Sequence, residues 1–288
     1  MIEVRDLRKE YAGHVAVSGS TFEVEPGEVF GVVGPNGAGK TTTLKTVAGL
    51  VEPTEGEVRV AGGDPTEAET RRSLGYLPEE SPLYEEMTAL SYLRFFADLY
   101  DVPRGVADER IHDTLDRLEL DRRETRTGDM SKGMKRKVAV ARSLVNDPDV
   151  LVYDEPASGL DPLTTNYVVE FVRELADEGK TVVFSAHNLY HVERVCDRVV
   201  IMNEGDIVAR GTLEEIRDEH GGVEYTVETT VEVEGATEEG GGYRTTVEDM
   251  DGVERVREEA RENGGEVVDI RTREPSLEDI FLDVAEAT

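Results

Sequence analysis

Seven lysines, one cysteine and no tryptophan are found in a chain of 288 residues. Cys196 has no second cysteine to form an internal disulfide and no neighbouring ligand set, so a buried apolar role is expected for it rather than redox or metal chemistry. Long apolar runs are missing as well. No stretch approaches the ~20 uninterrupted apolar residues of a membrane span, and the opening MIEVRDLRKEY has no apolar signal region, so a soluble, cytoplasmic chain is expected. Positive charge is scarce: 32 Lys and Arg stand against 63 Asp and Glu, a net charge of -31. No basic patch of useful size could neutralise a phosphate backbone, so no nucleic-acid partner is expected.

Against those absences stands one dense motif. Gly34 to Thr41 reads GPNGAGKT, which fits GxxxxGK[ST], and it follows the apolar run Val29 to Val33 and precedes a helix expected over Thr42 to Leu50. A loop that wraps a triphosphate turns its backbone amides inward, and Gly34, Gly37 and Gly39 permit this by tolerating positive φ and carrying no Cβ. Pro35, Asn36 and Ala38 complete the cradle. Lys40 can reach the β- and γ-phosphates, Thr41 can offer its hydroxyl to Mg²⁺, and the helix starting near Thr42 adds its positive N-terminal end.

The organisation around this loop reads as α/β. Short strand patterns occur at Ile2 to Leu7, Thr21 to Val24 and Gly56 to Ala61, and a helical insert spans about residues 78 to 145, where Leu90, Leu93, Phe96, Ala97 and Tyr100 recur at helical spacing. Strands return at Val150 to Tyr153 and Thr181 to Ser185 with a helix between them, which implies a parallel sheet with right-handed crossovers. Val199 to Met202 and Ile207 to Arg210 read as a closing hairpin. After His220 the composition changes, so the domains are expected at 1–220 and 221–288. The second is a small α+β appendage with an alternating run at Val223 to Val233, an acidic glycine-rich stretch at Gly235 to Gly242, a helix near Val253 to Glu262 and a strand at Val267 to Arg271 before Pro275. A last helix carries the apolar stripe Leu277, Ile280, Phe281 and Val284, with Ser276 and Asp279 as a capping box.

Asp149 to Pro156 reads DVLVYDEP and narrows the chemistry. Asp154, at the carboxyl end of a buried strand, is suited to hold Mg²⁺, and Glu155 beside it can orient and deprotonate the attacking water.

Taken together, Gly34 to Thr41, Met130 to Lys135 (MSKGMK), Asp154 with Glu155, Ser158 to Pro162 (SGLDP) and His187 after Ser185 and Ala186 resemble the ATP-binding subunit of ABC transporters, over about residues 1 to 220. The resemblance implies a P-loop NTPase fold of the ABC ATPase type, with a mixed sheet core and the helical insert. It implies ATP and Mg²⁺ as cofactors and a site shared between two subunits. Ser131, Lys132 and Gly133 would close over the γ-phosphate held by a second subunit, Asp161 would communicate between the two sites, His187 would contact the γ-phosphate and Tyr11 would stack on adenine. The partners implied are a homodimer or heterodimer of ATPase subunits and an integral membrane permease on a separate chain, which would hold this one at the cytoplasmic face. The insert around Leu83 to Tyr100 would receive that permease, with Leu83, Tyr84, Met87, Leu90, Tyr92 and Phe95 divided between partner and core.

Two departures from the family pattern stand out. The signature, usually LSGGQ, has Lys132 for its first glycine, which would add positive charge near the γ-phosphate, and it starts the densest basic cluster of the chain, with Lys135, Arg136 and Lys137 following. Glu79, in LGYLPEE, occupies the place of an expected glutamine; it can still accept from a metal-bound water but cannot donate when ionised. LPEE, SKGM and SLEDIFLDV together resemble the branch of sodium, drug and multicopper-system exporters. The rival reading is a soluble ABC-type clamp in DNA repair or translation, opposed by the absence of a long coiled coil and of a second cassette. The acidic composition resembles proteins of salt-accumulating microbes; in molar salt the Debye length falls to ~3 Å and screens the self-repulsion.

Overall fold

The computed structural model describes residues 1–220, 224–273 and 276–286, and the chain divides into two compact units, Met1–Thr212 and Leu213–Thr288. The first begins with a long hairpin of β1 (Ile2–Tyr11) and β2 (His14–Val24). Its two-residue turn has positive φ at both Ala12 (48°) and Gly13 (87°), the combination that matches the twist of paired strands and sets Tyr11 opposite His14. Both strands run farther than the alternation of the sequence suggests, because register shifts between Val4 and Glu10 absorb the breaks in the pattern.

Next come β3 (Val29–Val33), α1 (Lys40–Val47), β4 (Glu55–Val60), the short α2 (Ala68–Arg72) and β5 (Leu74–Leu77). The helical insert follows with α3 (Ala89–Leu99), α4 (Arg104–Arg117) and α5 (Lys132–Leu144). Then β6 (Val150–Tyr153), α6 (Pro162–Asp177), β7 (Thr181–Ala186), α7 (Leu189–Val195), β8 (Arg198–Asn203) and β9 (Asp206–Gly211) complete the unit.

Two sheets result. An antiparallel one has the order β2-β1-β4, and a six-stranded one has the order β5-β6-β7-β3-β8-β9, parallel except for the β8–β9 hairpin. The central strands β3, β6 and β7 are buried along their whole length, as strands covered on both faces must be, and so they read as unbroken apolar runs. A hydrophobic core joins the two sheets through residues such as Ile2, Phe22, Phe30, Leu44, Val152 and Val200. Packing is tight beneath the loop: a Cβ on Gly31 would lie 2.9 Å from Cys196 Sγ. Cys196 is buried there, and burial pushes its thiol pKa up. The sheet order brings the carboxyl ends of β3, β6 and β7 side by side, the edge at which open α/β sheets bind ligands.

The second unit contains α8 (Leu213–His220), β10 (Glu224–Thr229), β11 (Thr237–Glu239), β12 (Gly242–Val247), α9 (Met250–Glu262), β13 (Val267–Arg273) and α10 (Leu277–Glu286). Its antiparallel sheet has the order β11-β12-β10-β13, and α9 packs Val253, Val256 and Ala260 against Val227 and Val233. The unit starts before the expected 220/221 boundary because α8 packs on α10. The sequence reading missed β11 and β12, since the glycine-rich stretch looked like a loop and Gly242–Val247 has a short, polar alternation. Ser276 and Asp279 do cap α10 reciprocally: Asp279 N–H donates to Ser276 Oγ at 3.2 Å, and Ser276 N–H donates to Asp279 Oδ2 at 3.0 Å. Leu277 and Ile280 are buried, whereas Val223, Pro275 and the side chain of Val284 lie outside the described residues.

Candidate functional site

The loop leaving β3 owes its shape to its glycines. Gly34 has φ 150° and Gly39 has φ 100°; a Cβ on the first would stand 2.2 Å from the Met202 carbonyl oxygen, and one on the second 2.5 Å from that of Ala16. Gly39 is also the N-cap of α1 and supplies no capping side chain, so the first amides of α1 have no side-chain acceptor and suit an anion. Lys40 folds back over the loop: its Nζ donates to the carbonyls of Gly34 (2.7 Å) and Pro35 (3.1 Å) and lies 3.6 Å from Glu155 Oε1.

The two carboxylates, Asp154 and Glu155, follow directly on the end of β6. Asp154, 1% exposed, accepts from Thr41 Oγ1 at 3.2 Å and from Ser185 Oγ at 2.7 Å, both on Oδ1. Glu155 has φ 46°, a left-handed backbone costing about 1–3 kcal/mol for a non-glycine residue, and it survives because its surroundings hold it. Its N–H donates to Ser185 Oγ at 2.9 Å, and its carboxylate spans Lys40 on one oxygen and His187 Nδ1, at 2.7 Å, on the other. That contact occupies Nδ1 of His187 and leaves its other ring nitrogen, Nε2, unengaged by Glu155.

Lys40, Thr41, Glu155 and His187 meet in a cavity of about 480 Å³ lined by Tyr11, His14, Ala16, Pro35 to Thr42, Glu79, Glu155, Ser158 and His187, whereas the buried Asp154 and Ser185 are not among its lining residues. That volume falls within the ~300–1,000 Å³ of small-molecule sites. Tyr11 is exposed at the hairpin tip with Lys9 Nζ 5.0 Å from its ring centroid. Ser131, Lys132, Gly133 and Asp161 do not line this cavity. Ser131 caps α5 by accepting from Met134 N–H, and Asp161 caps α6 by accepting from Thr164 N–H and its hydroxyl, which holds the Asp161 carboxyl below its usual pKa. Lys132 reaches the Ser158–Leu160 turn: a Cβ on Gly159 would fall 2.1 Å from its Nζ. In the insert, Tyr84 (57%) and Phe95 (39%) are exposed while Leu90 and Tyr92 are buried.

Three residues of consequence were not singled out from sequence. His14 lines the cavity with no motif to announce it; Ser158, the first residue of SGLDP, lines it too, although no role at the nucleotide was read for it. Arg136, read as part of a basic cluster, is instead buried, and it donates to the carbonyls of Pro78, Glu79, Asp154, Glu155 and Pro156. Burial pulls its pKa down to about 10. Its position was legible in one way: Arg136 shares a helical face with Ala139, Val140 and Ser143, all buried.

The chain resembles known proteins in both of its units. A family model described as ABC transporter matches residues 17–158, and one described as ATP-binding protein DrrA1-3-like, C-terminal domain, matches residues 211–285. The chain is 41% identical over 205 residues to the ABC transporter ATP-binding protein NatA of Bacillus subtilis, spanning 70% of this chain and 83% of that one. It is 35% identical to the Nod factor export ATP-binding protein I of Cupriavidus metallidurans, over 76% of this chain and 73% of the relative. The linearmycin resistance ATP-binding protein LnrL of Bacillus subtilis is 34% identical, over 77% and 72%. Among solved structures, an ATP-binding subunit of an ABC transporter superposes with TM-score 0.71 at 35% identity, covering 77% of this chain and 93% of that one. A dimeric ATP-binding cassette in a post-hydrolysis state, bound to ADP and Pi, superposes with TM-score 0.67 at 25% identity, over 74% and 99%. No helix among the described residues is long and apolar enough to cross a membrane. The chain belongs to the ATP-binding subunits of ABC transporters and is an ATP-hydrolysing enzyme of that family.

Proposed function

We propose that this chain powers an exporter, two copies or one copy and a close relative sandwiching two ATP molecules and separating after hydrolysis. Glu155 is the general base, and the observation that carries this reading is its carboxylate held between Lys40 and His187 at the wall of the cavity. Lys40 and the amides of the loop bind the phosphates, Tyr11 stacks on adenine, and His187 contacts the γ-phosphate. Ser131, Lys132 and Gly133, absent from their own chain's cavity, complete the cavity of the other subunit, with Asp161 between the two.

The all-oxygen donor set of Thr41, Asp154 and Glu79 suits Mg²⁺, a hard cation that keeps several waters and shares the nucleotide's phosphates. When bound, Mg²⁺ neutralises charge building on the β- and γ-oxygens. Within the chain, Ser185 orients Asp154, and Glu155 accepts a proton from the attacking water.

Export, rather than import or a soluble clamp, is supported by the Nod factor and linearmycin relatives and by the match to a DrrA-like C-terminal domain. The membrane permease is a separate chain that meets the exposed aromatic rings of Tyr84 and Phe95. Steady-state hydrolysis and nucleotide binding test the site. Glu155→Gln binds MgATP and dimerises but scarcely turns over, whereas Lys40→Ala weakens nucleotide binding itself; near-normal turnover of the first variant would sink the assignment. Purification from native membranes with identification of the co-purifying permease tests export.

A further inference from the structure

Arg136 does not line the cavity, yet it is bonded to the backbone of residues that do. A guanidinium has five N–H donors in a rigid fork, and five backbone carbonyls surround this one. Nε donates to Pro156 at 2.7 Å, Nη1 to Pro78 at 2.8 Å and Glu79 at 3.0 Å, and Nη2 to Asp154 at 3.1 Å and Glu155 at 2.8 Å. The described residues contribute no carboxylate in an ion pair with it; the five carbonyls, together with Ser81 Oγ accepting from Nη1 at 3.3 Å, are the hydrogen-bond partners of a cation that is 7% exposed. Two of those carbonyls belong to the segment after β5 and three to the segment after β6. Arg136 itself rides on α5, whose first residues are Lys132 and Gly133 of the signature. One side chain therefore ties together the signature helix, the backbone at Glu79 and the backbone of the acidic pair.

The consequence falls on Glu155. Its peptide is pinned on both sides of a left-handed Cα, the N–H by Ser185 and the carbonyl by Arg136. Together these fix where its carboxylate starts from, and among the described residues no hydrogen bond joins Arg136 to Lys40 or to the residues of the loop. We propose that Arg136 is a positioning residue for hydrolysis, which holds Glu155 in its working backbone conformation and transmits displacement of the signature helix α5 to it. The proposal rests on Glu155 being the base. Lysine cannot replace the cage, because three donors on one nitrogen do not span both segments.

The test measures MgATP binding and steady-state hydrolysis by the full chain for R136K, R136Q, E155Q and the double variant R136K/E155Q. Active sites are titrated by bound nucleotide, and each variant's thermal melt is recorded. The Arg136 variants keep the MgATP Kd within about threefold and lose about ten- to a hundredfold in kcat per active site, the scale of a misplaced catalytic group. In the E155Q background R136K costs nothing further, because a residue acting through the base has nothing left to act on. Wild-type kcat in R136K beside an inactive E155Q would overturn the proposal alone. So would a loss that adds fully in the double variant, a Kd that rises in step with the fall in kcat, or the absence of a cooperative melt in both Arg136 variants, which would make Arg136 a folding residue. Near-wild-type turnover of E155Q would instead remove the base assignment and the proposal with it.

Discussion

Ser185 Oγ donates to Asp154 Oδ1 at 2.7 Å. The same hydroxyl oxygen accepts the N–H of Glu155 at 2.9 Å, so one serine on β7 aligns both a carboxylate suited to a cation and the peptide of its neighbour just past β6. Strand pairing makes this possible: β6 and β7 are parallel, with Tyr153 opposite Phe184, which sets Ser185 beside Asp154.

Ser185→Ala should therefore act on stability and rate together. Ser185 is fully buried, and its loss leaves the N–H of Glu155 without a partner at a cost of about 1–3 kcal/mol. The urea midpoint should fall by the corresponding amount, and kcat should fall with it. An unchanged midpoint contradicts the account.

The loop glycines make a paired prediction. Gly37 and Gly39 both have positive φ, 87° and 100°, but a Cβ on Gly37 meets nothing within 4 Å whereas one on Gly39 would lie 2.5 Å from the Ala16 carbonyl. Gly37→Ala carries only the backbone strain of about 1–3 kcal/mol. Gly39→Ala adds a clash with backbone that cannot swing away, so it should weaken ATP binding by more than about tenfold, or 1.4 kcal/mol, beyond Gly37→Ala. Calorimetric titration of both variants checks the order.

Much of this site was legible because its chemistry needs particular residue types at fixed spacing. The loop Gly34 to Thr41, the pair Asp154 and Glu155 and His187 are each marked by local sequence, and the fold brings Lys40, Glu155 and His187 together. What was not legible depends on contacts distant in sequence. Arg136 reaches carbonyls of Pro78 and Glu79, and backbone acceptors have no sequence signature. His14 enters the cavity only because the Ala12–Gly13 turn sets it beside Tyr11. In the second unit, β12 was hidden by a glycine-rich approach and by Thr245 and Thr246, which pair with Val227 and Thr226 of β10.

Acid should weaken the fold through Asp147. Lys180 Nζ donates to its carboxylate at 2.8 Å and Arg110 at 3.2 Å, and the Lys180 hydrogen bond first, then the charges of Lys180 and Arg110, hold its pKa below the ordinary value. A carboxyl depressed in the folded state contributes stability that is present above its unfolded pKa of about 3.9 and is lost as pH falls through the folded value. Asp147→Asn should lower the denaturation midpoint at pH 7 and approach the parent as pH falls through the folded pKa of Asp147. A constant gap across that range contradicts the linkage.

Salt should act in the opposite direction to its usual effect on ion pairs. Surface pairs such as Arg94 with Asp108, 2.6 Å apart across α3 and α4, lose part of their attraction as ionic strength rises, but exposed pairs are each worth only about 0–1 kcal/mol. The net charge of -31 is not offset by such pairs, and its self-repulsion acts over a Debye length of about 10 Å at 0.1 M salt, shrinking to about 3 Å at 1 M. Repulsion among like charges spread over the whole surface outweighs a set of weak local attractions, so screening it should stabilise the folded chain. The melting temperature should rise steadily with KCl between those concentrations. Arg94→Ala, which deletes a pair without reducing the acidic excess, should lower the melting temperature at 0.1 M and leave the upward slope with salt intact. A melting temperature that is flat or falls with KCl would mean that the ion pairs, not the net charge, govern the response.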